Sequence, residues 1–417
     1  MQICKAFLTL TLVATTASCT FSKLEDDLVN LQAISHRFAG TVTVERSETD
    51  AIVVVGLRDR KGGNISSFRV MSKPGPFEFV ADPEPTFLFA FDDLNKDLKF
   101  QENEPYGWAA KGDSVDPLTE VTDNISISIV AAAPGQPAFP QLLVNEPLEN
   151  HIDEDIRFNV GTISSLDNPW FSEEQAKKGL WEPYAFMEDG GTGIHFLQPY
   201  DPDKVPVLFA HGVNGTPRNF TVLIEQLDKS QYQVWFYSYP SGVRISMAAN
   251  AMFHFVEMLH RRYLFDELNV VAHSMGGLVS RGTVNRCIQN DACKYLRSYT
   301  TLSTPWDGVA SAASGVKWAP TVVPVWRELD PSSEYVTTLF DTPLPDGLPY
   351  RLIFGYRKSS IFGSGSSDGV IQLTSQLRDA AQEQAQMVRG YDETHVSILS
   401  NQTVISKVYG NLSQPKQ

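Results

Sequence analysis

The apolar positions along the chain change rhythm near residue 200. Before that point they come in short β-branched or aromatic runs, at 41–44, 51–57, 77–80, 86–90 and 125–130. Gly, Pro, Asn and Asp break these runs at short intervals, which predicts a small antiparallel all-β sandwich domain over 37–132. Residues 133–200 are Pro-rich and carry Trp170, Phe171 and Trp181, and they read as a linker that packs against neighbouring structure. From 201 to 417 apolar strands alternate with helix-length segments, the signature of a mostly parallel α/β sheet with helices on its faces.

Composition sets bounds on this outline. At 417 residues, 42% hydrophobic and 20% charged, the chain has room for two or three domains with ordinary cores. Lys and Arg total 34 against 49 Asp and Glu, a net charge of −15. Such a surface repels phosphate backbones and argues against a general nucleic-acid binder.

The first residues follow a different logic. Lys5 gives a weakly positive start, the apolar run 6–14 follows, and Thr15, Thr16, Ala17, Ser18 and Cys19 close it with small residues. A run that short falls below the roughly 20 residues of a spanning helix, so 1–18 reads as an export signal peptide. The small residues before Cys19 resemble the lipobox of bacterial lipoproteins, although Thr16 stands where that family usually has Leu. The resemblance implies lipidation at Cys19 and an exported protein anchored in a membrane of the cell envelope. A cleaved signal with a secreted or periplasmic product is the alternative.

Two further clusters draw attention. Cys287 and Cys293 are the cysteines left outside the signal region, and they read either as a disulfide permitted by export or as two small core residues. Asp93, Asn95, Asp97 and Glu104 occupy positions 1, 3, 5 and 12 of a calcium-loop spacing. Position 6 is Leu98 rather than Gly and no helix pair flanks the loop, so an acidic solvated hairpin is the competing reading.

The segment that carries chemistry starts with the apolar strand 205–210, which ends in His211-Gly212-Val213-Asn214-Gly215. A second strand, 234–239, follows after a helix-length stretch. Then Leu268-Asn269-Val270-Val271-Ala272-His273-Ser274-Met275-Gly276-Gly277-Leu278 runs an apolar strand into a serine flanked by small residues, with an apolar helix beyond. A tight strand-to-helix turn needs small residues two before and two after the serine, and it lifts that serine above the sheet at a helix N-terminus. The run Ala-His-Ser-Met-Gly resembles the nucleophile elbow of α/β-hydrolase lipases, in the variant with Ala for the first Gly. With the upstream His-Gly turn it resembles bacterial lipases and the GPI inositol-deacylase-like serine hydrolases, over roughly half the chain.

In that fold the acid and the histidine follow the serine in the chain. Of eight histidines, only His395 lies after Ser274. His273 is expected to point away into the elbow, and His211 to support the turn beside the oxyanion hole. Asp368, in Gly365-Ser366-Ser367-Asp368-Gly369-Val370, follows the apolar strand 350–356 and is the leading acid; Asp307 competes with it. Asp392 lies too near His395 to come from a separate loop.

The resemblance implies that His395 activates Ser274, that Asp368 orients the imidazole, and that the backbone N–H groups of Val213 and Met275 form the oxyanion hole. It implies a carboxylic ester hydrolase of lipase or esterase type, acting on lipid or acyl esters without a metal or organic cofactor. Acyl transfer by the same three groups is an alternative, and so is a non-catalytic surface-binding or adhesin lipoprotein. Trp318, Val322, Val323, Val325, Trp326 and Leu329 lie in an insertion between 307 and 349. They read equally as a cap over an acyl pocket or as a helix packed on the sheet.

Overall fold

The computed structural model describes residues 20–32, 36–45, 49, 51–81, 86–112, 114–115, 121–131, 135–151, 158–357 and 366–413. Two compact units share the chain: Val29–Ile156 forms one, and Arg157–Gln417 forms the other with the residues before Val29. Cys19 lies outside the described residues.

The first unit holds β1 (His36–Val44), β2 (Ile52–Leu57), β3 (Ile65–Met71), β4 (Gly75–Ala81), β5 (Phe87–Asp92), β6 (Tyr106–Trp108) and β7 (Val121–Ile129). They make two sheets, ordered β4-β1-β7 and β3-β2-β5-β6. The expected sandwich is antiparallel throughout, but β1 and β7 pair in parallel. Because side chains alternate along a strand, Ile52, Val54, Leu88 and Ala90 share a core with Phe38, Val42, Ile125 and Ile127 of the other sheet. The alternate residues Val53, Val55, Phe89 and Phe91 are buried too, in a second cluster with Phe100, Tyr106, Trp108, Leu143 and Leu148. Coverage of both faces explains why β2 is an unbroken apolar run. It also means that 139–148, expected in a linker, belongs to this unit's core.

The second unit is built on eight strands: β8 (Asn159–Ile163), β9 (Gly193–Phe196), β10 (Val205–Ala210), β11 (Tyr232–Ser238), β12 (Leu268–His273), β13 (Leu296–Leu302), β14 (Tyr350–Gly355) and β15 (Met387–Tyr391). Their order is β15-β14-β13-β12-β10-β11-β9-β8. Strands β10 to β15 are parallel, and β9 runs antiparallel to β11. The sheet therefore starts at Asn159, well before the expected boundary at 201. Its order reverses around β10, and in open α/β sheets the carboxyl edge beside such a reversal is where ligands bind.

One face of this sheet packs Val207, Phe209, Val234, Phe236, Val271 and Ile353 against Val404, Ile405, Val408 and Leu412 of the helix Gln402–Leu412. The helices Ile245–Tyr263 and Met275–Gln289 pack on each other, and the latter starts directly after Ser274. Cys287 and Cys293 are joined in a disulfide, with α-carbons 5.2 Å apart. Among the described residues no helix is long and apolar enough to cross a membrane.

The insertion after β13 folds as the short helices Ala310–Trp318, Pro324–Leu329 and Glu334–Thr338. Val323, Val325 and Leu329 are buried, whereas Trp318 is exposed. Glu328 accepts hydrogen bonds from the Ser246 amide (2.8 Å) and hydroxyl (2.7 Å) at the start of Ile245–Tyr263. That clip holds the middle of the insertion down as packed structure.

Candidate active site

Strand β12 is buried along its whole length and delivers Ser274 into a sharp turn. Ser274 has φ 54°, ψ −131°, a backbone conformation that side-chain-bearing residues rarely adopt and that functional sites tend to retain. Its amide donates to the Leu302 carbonyl (2.9 Å), which pins the turn to β13. Glycine is required on both sides. A Cβ at Gly276 would stand 2.2 Å from the Ala210 carbonyl oxygen, and one at Gly212 would stand 2.6 Å from the Ser274 Cβ.

The buried Ser274 hydroxyl lies 2.9 Å from His395 Nε2. His395 Nδ1 lies 2.7 Å from Asp368 Oδ2. The Asp368 carboxylate is completely buried, and its Oδ1 accepts the amides of Ile371 (2.7 Å) and Val370 (3.0 Å). Burial alone would raise this carboxyl. The hydrogen bond and charge of His395, with those two amides, outweigh it and hold the group below the usual carboxylate range. An ionised Asp368 leaves Nδ1 as the donor and Nε2 as the acceptor facing the serine hydroxyl. The backbones are tied as well, since the His395 amide donates to the Asp368 carbonyl (2.9 Å).

The competing acid lies elsewhere. The Asp307 side chain is 51% exposed and pairs with Arg378 Nε at 3.3 Å. Asp392 pairs with Arg357 at 3.2 Å. The structure thus brings Asp368, and neither of the other two, to His395.

His273 behaves differently from expectation. Its Nε2 donates to the His395 carbonyl (2.8 Å), and the two rings lie 4.7 Å apart. Burial pushes His273 down to about 3, so the ring is neutral and donates from a fixed nitrogen. Nothing in the sequence pattern marks this contact, because it joins residues 122 positions apart.

Val213 and Met275 flank the serine. Met275 opens the helix, where a first-turn amide has no intrahelical partner, and Val213 follows Gly212, whose α-carbon faces Ser274. The turn carrying Val213 is braced from below. His211 stacks on Tyr239 at 4.3 Å, the Tyr239 hydroxyl donates to the His211 carbonyl (2.6 Å), and the Asn214 amide donates to Ser241 Oγ (2.9 Å). Burial lowers His211 to about 4, so this support carries no charge. Tyr239 and Ser241 are contributors that the sequence did not reveal.

The calcium-loop residues are all in the β5–β6 connection, where their oxygens accept hydrogen bonds from the loop itself. Asp93 accepts the amides of Asp97 (3.1 Å) and Leu98 (3.0 Å), and Glu104 accepts those of Leu94 (2.8 Å) and Gln101 (2.9 Å). Asn95 and Asp97 bond to each other at 3.0 Å. Among the described residues no three His, Cys, Asp or Glu side chains converge as metal ligands. In the structure the loop is closed by its own amides.

A parallel sheet reversing at β10, with a strained serine turn after β12 and the acid and histidine on later loops, defines an α/β-hydrolase fold. No protein-family model and no curated protein matches the chain by sequence. Solved structures similar to it include a Bacillus licheniformis lipase in mature form (21% identity, TM-score 0.42, covering 52% of this chain and 97% of that one). A Listeria innocua protein is similar at 16% identity and TM-score 0.40, covering 52% and 96%. A Legionella pneumophila phospholipase is similar at 20% identity and TM-score 0.37, covering 42% and 44%.

Proposed function

We propose that this chain is a serine hydrolase that cleaves carboxylic esters, with lipid or acyl esters as substrates, through an acyl-enzyme. The observation that carries this reading is the unbroken hydrogen-bond chain from Ser274 through His395 to the buried Asp368, mounted on a strained elbow. A merely structural serine gains nothing from a strained backbone.

In this mechanism Ser274 Oγ attacks the ester carbonyl carbon while its proton passes to His395 Nε2. Asp368 stabilises the imidazolium that forms, and the Val213 and Met275 amides receive the oxyanion. Collapse expels the alcohol, which takes the proton from Nε2. Water then attacks the acyl-enzyme, gives a proton to His395, and the acid leaves as Ser274 recovers its hydrogen. No step calls for a metal or an organic cofactor.

Export and lipidation at Cys19 are part of the proposal, supported by the small residues before Cys19. A lipid-anchored enzyme works beside phospholipid, which favours acylated lipids as substrates. The test is labelling by a fluorophosphonate together with turnover of p-nitrophenyl esters of increasing chain length. Labelling that maps to Ser274 and disappears in Ser274→Ala is expected. Absence of labelling on folded protein would overturn the reading, and a mature start other than Cys19 without added acyl mass would overturn the lipoprotein part.

A further inference from the structure

The residues immediately after Cys19 are not a loose tether. Residues 20–32 are helical from the first described position, so a single peptide bond separates Cys19 from ordered structure. The start of this helix is docked on the hydrolase unit by three kinds of contact. Leu24 is fully buried, Phe21 meets Trp181 edge-on at 5.7 Å, and the Asp27 carboxylate accepts the amides of Tyr184 (2.8 Å) and Ala185 (2.9 Å). Those two amides are first-turn donors of the helix Pro183–Glu188, which Asp27 therefore caps.

The aromatic contacts continue into the insertion. Trp181 meets Trp326 at 5.9 Å, and Gly315 sits so close to Trp326 that a Cβ there would come within 2.7 Å of the ring. Three residues further on, the helix Ala310–Trp318 ends in Trp318, which is 75% exposed, with the Lys317 ammonium 4.8 Å over its ring. This helix leaves from the carboxyl end of β13, beside the end of β12 that carries Ser274. Most of this tryptophan stays in water, which costs apolar hydration. Tryptophan with an adjacent lysine suits a membrane–water interface, where the ring sits at headgroup level and the ammonium reaches outward.

We propose that Trp318, with Lys317, is a second membrane contact, and that the docked helix fixes it in relation to the acyl group on Cys19, so that the hydrolase unit is seated directly on a phospholipid bilayer by its serine-bearing edge. This deepens the proposed function and rests, for the anchor, on lipidation at Cys19. A second contact held at short range from a lipid anchor adds to membrane binding by effective concentration and fixes the orientation of the unit on the surface. With a net charge of −15 the favoured surface is zwitterionic rather than anionic. Substrate would then be an ester within the bilayer that holds the anchor.

The test uses the full chain with phosphatidylcholine vesicles, with and without brominated acyl chains. Bromolipid is expected to quench part of the tryptophan emission, and Trp318→Phe should remove that component. Trp318→Ala and Lys317→Glu should each lower, several-fold, the ratio of vesicle-borne to soluble ester turnover. Quenching that persists undiminished in Trp318→Phe would overturn the proposal, and so would an unchanged turnover ratio in both variants. The quenching does not depend on catalysis, so an inactive protein would refute the hydrolase reading and leave the surface tested. Cys19→Ser separates the anchor: lost membrane retention with residual Trp318 quenching is expected, and complete loss of that quenching would overturn the surface.

Discussion

At the scale of single residues, the site concentrates its interactions on one imidazole. His395 is held by Asp368 through its side chain and its amide, and by His273 through its carbonyl. Ser274→Ala and His395→Ala are each expected to lower ester turnover on the order of 10⁴-fold or more, and the double variant should cost little beyond either single one, because groups acting as a unit are non-additive. Asp368→Asn should lose roughly 10⁴-fold, since the imidazole loses its charge partner and tautomer. Asp307→Asn, which breaks only the contact with Arg378, should stay near wild type. Steady-state kinetics on the two aspartate variants separate these roles; the reverse ranking would reassign the acid. His273→Phe removes the donor to the His395 carbonyl and should lower kcat roughly 10–100-fold with little change in KM, through imidazole misplacement. His273→Gln, which keeps an N–H donor, should recover part of that loss.

Among the elements, the elbow depends on close backbone approach. Gly276 lies in the first turn of Met275–Gln289, where helix propensity alone would make Gly276→Ala favourable by about 1 kcal/mol. The added Cβ would meet the Ala210 carbonyl oxygen at 2.2 Å and that of His211 at 2.6 Å, and a backbone cannot move aside as a side chain can. Overpacking of this kind costs about 1–3 kcal/mol, so the clash wins and the thermal midpoint should fall. A rise in midpoint would show that the β10–helix approach is looser than described. Turnover should drop along with it, because Ala210 and His211 lead directly into the turn that carries Val213.

Over the whole molecule, the two units differ in where their buried charge sits. Glu104, in the β unit, is pushed up to about 7 by burial, and the nearby Asp93 and Asp97 add to the rise against the opposing pull of the Gln101 and Leu94 amides. A carboxyl raised in the fold stabilises it fully below its ordinary value of 4.5, and that contribution is lost as pH rises through about 7. The melting transition of the β unit should therefore move to higher temperature between pH 8 and pH 5, and Glu104→Gln should flatten the dependence. Calorimetry across that range measures it. Adding calcium or a chelator tests the loop's spacing on the same transition, and a midpoint that stays where it is would leave the acidic hairpin as the reading. A midpoint raised by calcium would mean that the loop opens to bind it.

The sequence by itself determined what is local or ordered along the chain. The serine turn could be read because a tight strand-to-helix bend needs small residues within two positions of Ser274, and His395 because it alone follows the serine among the histidines. The mostly apolar strands β10, β11 and β12 were legible for a similar reason, as burial on both faces removes alternation. Short strands were not. Strand β9 is the four residues Gly193–Phe196, with a glycine and a histidine among them, and it becomes a strand only through pairing with β11 and β8. Between Asp368 and Asp307 the sequence favoured Asp368 without deciding, since both follow a strand and precede His395. Folding decided it by burying one carboxylate against two amides and an imidazole while leaving the other half in water beside Arg378. Contacts such as that of His273 with His395 join distant positions and leave no mark on local pattern, so only the packed chain could make them.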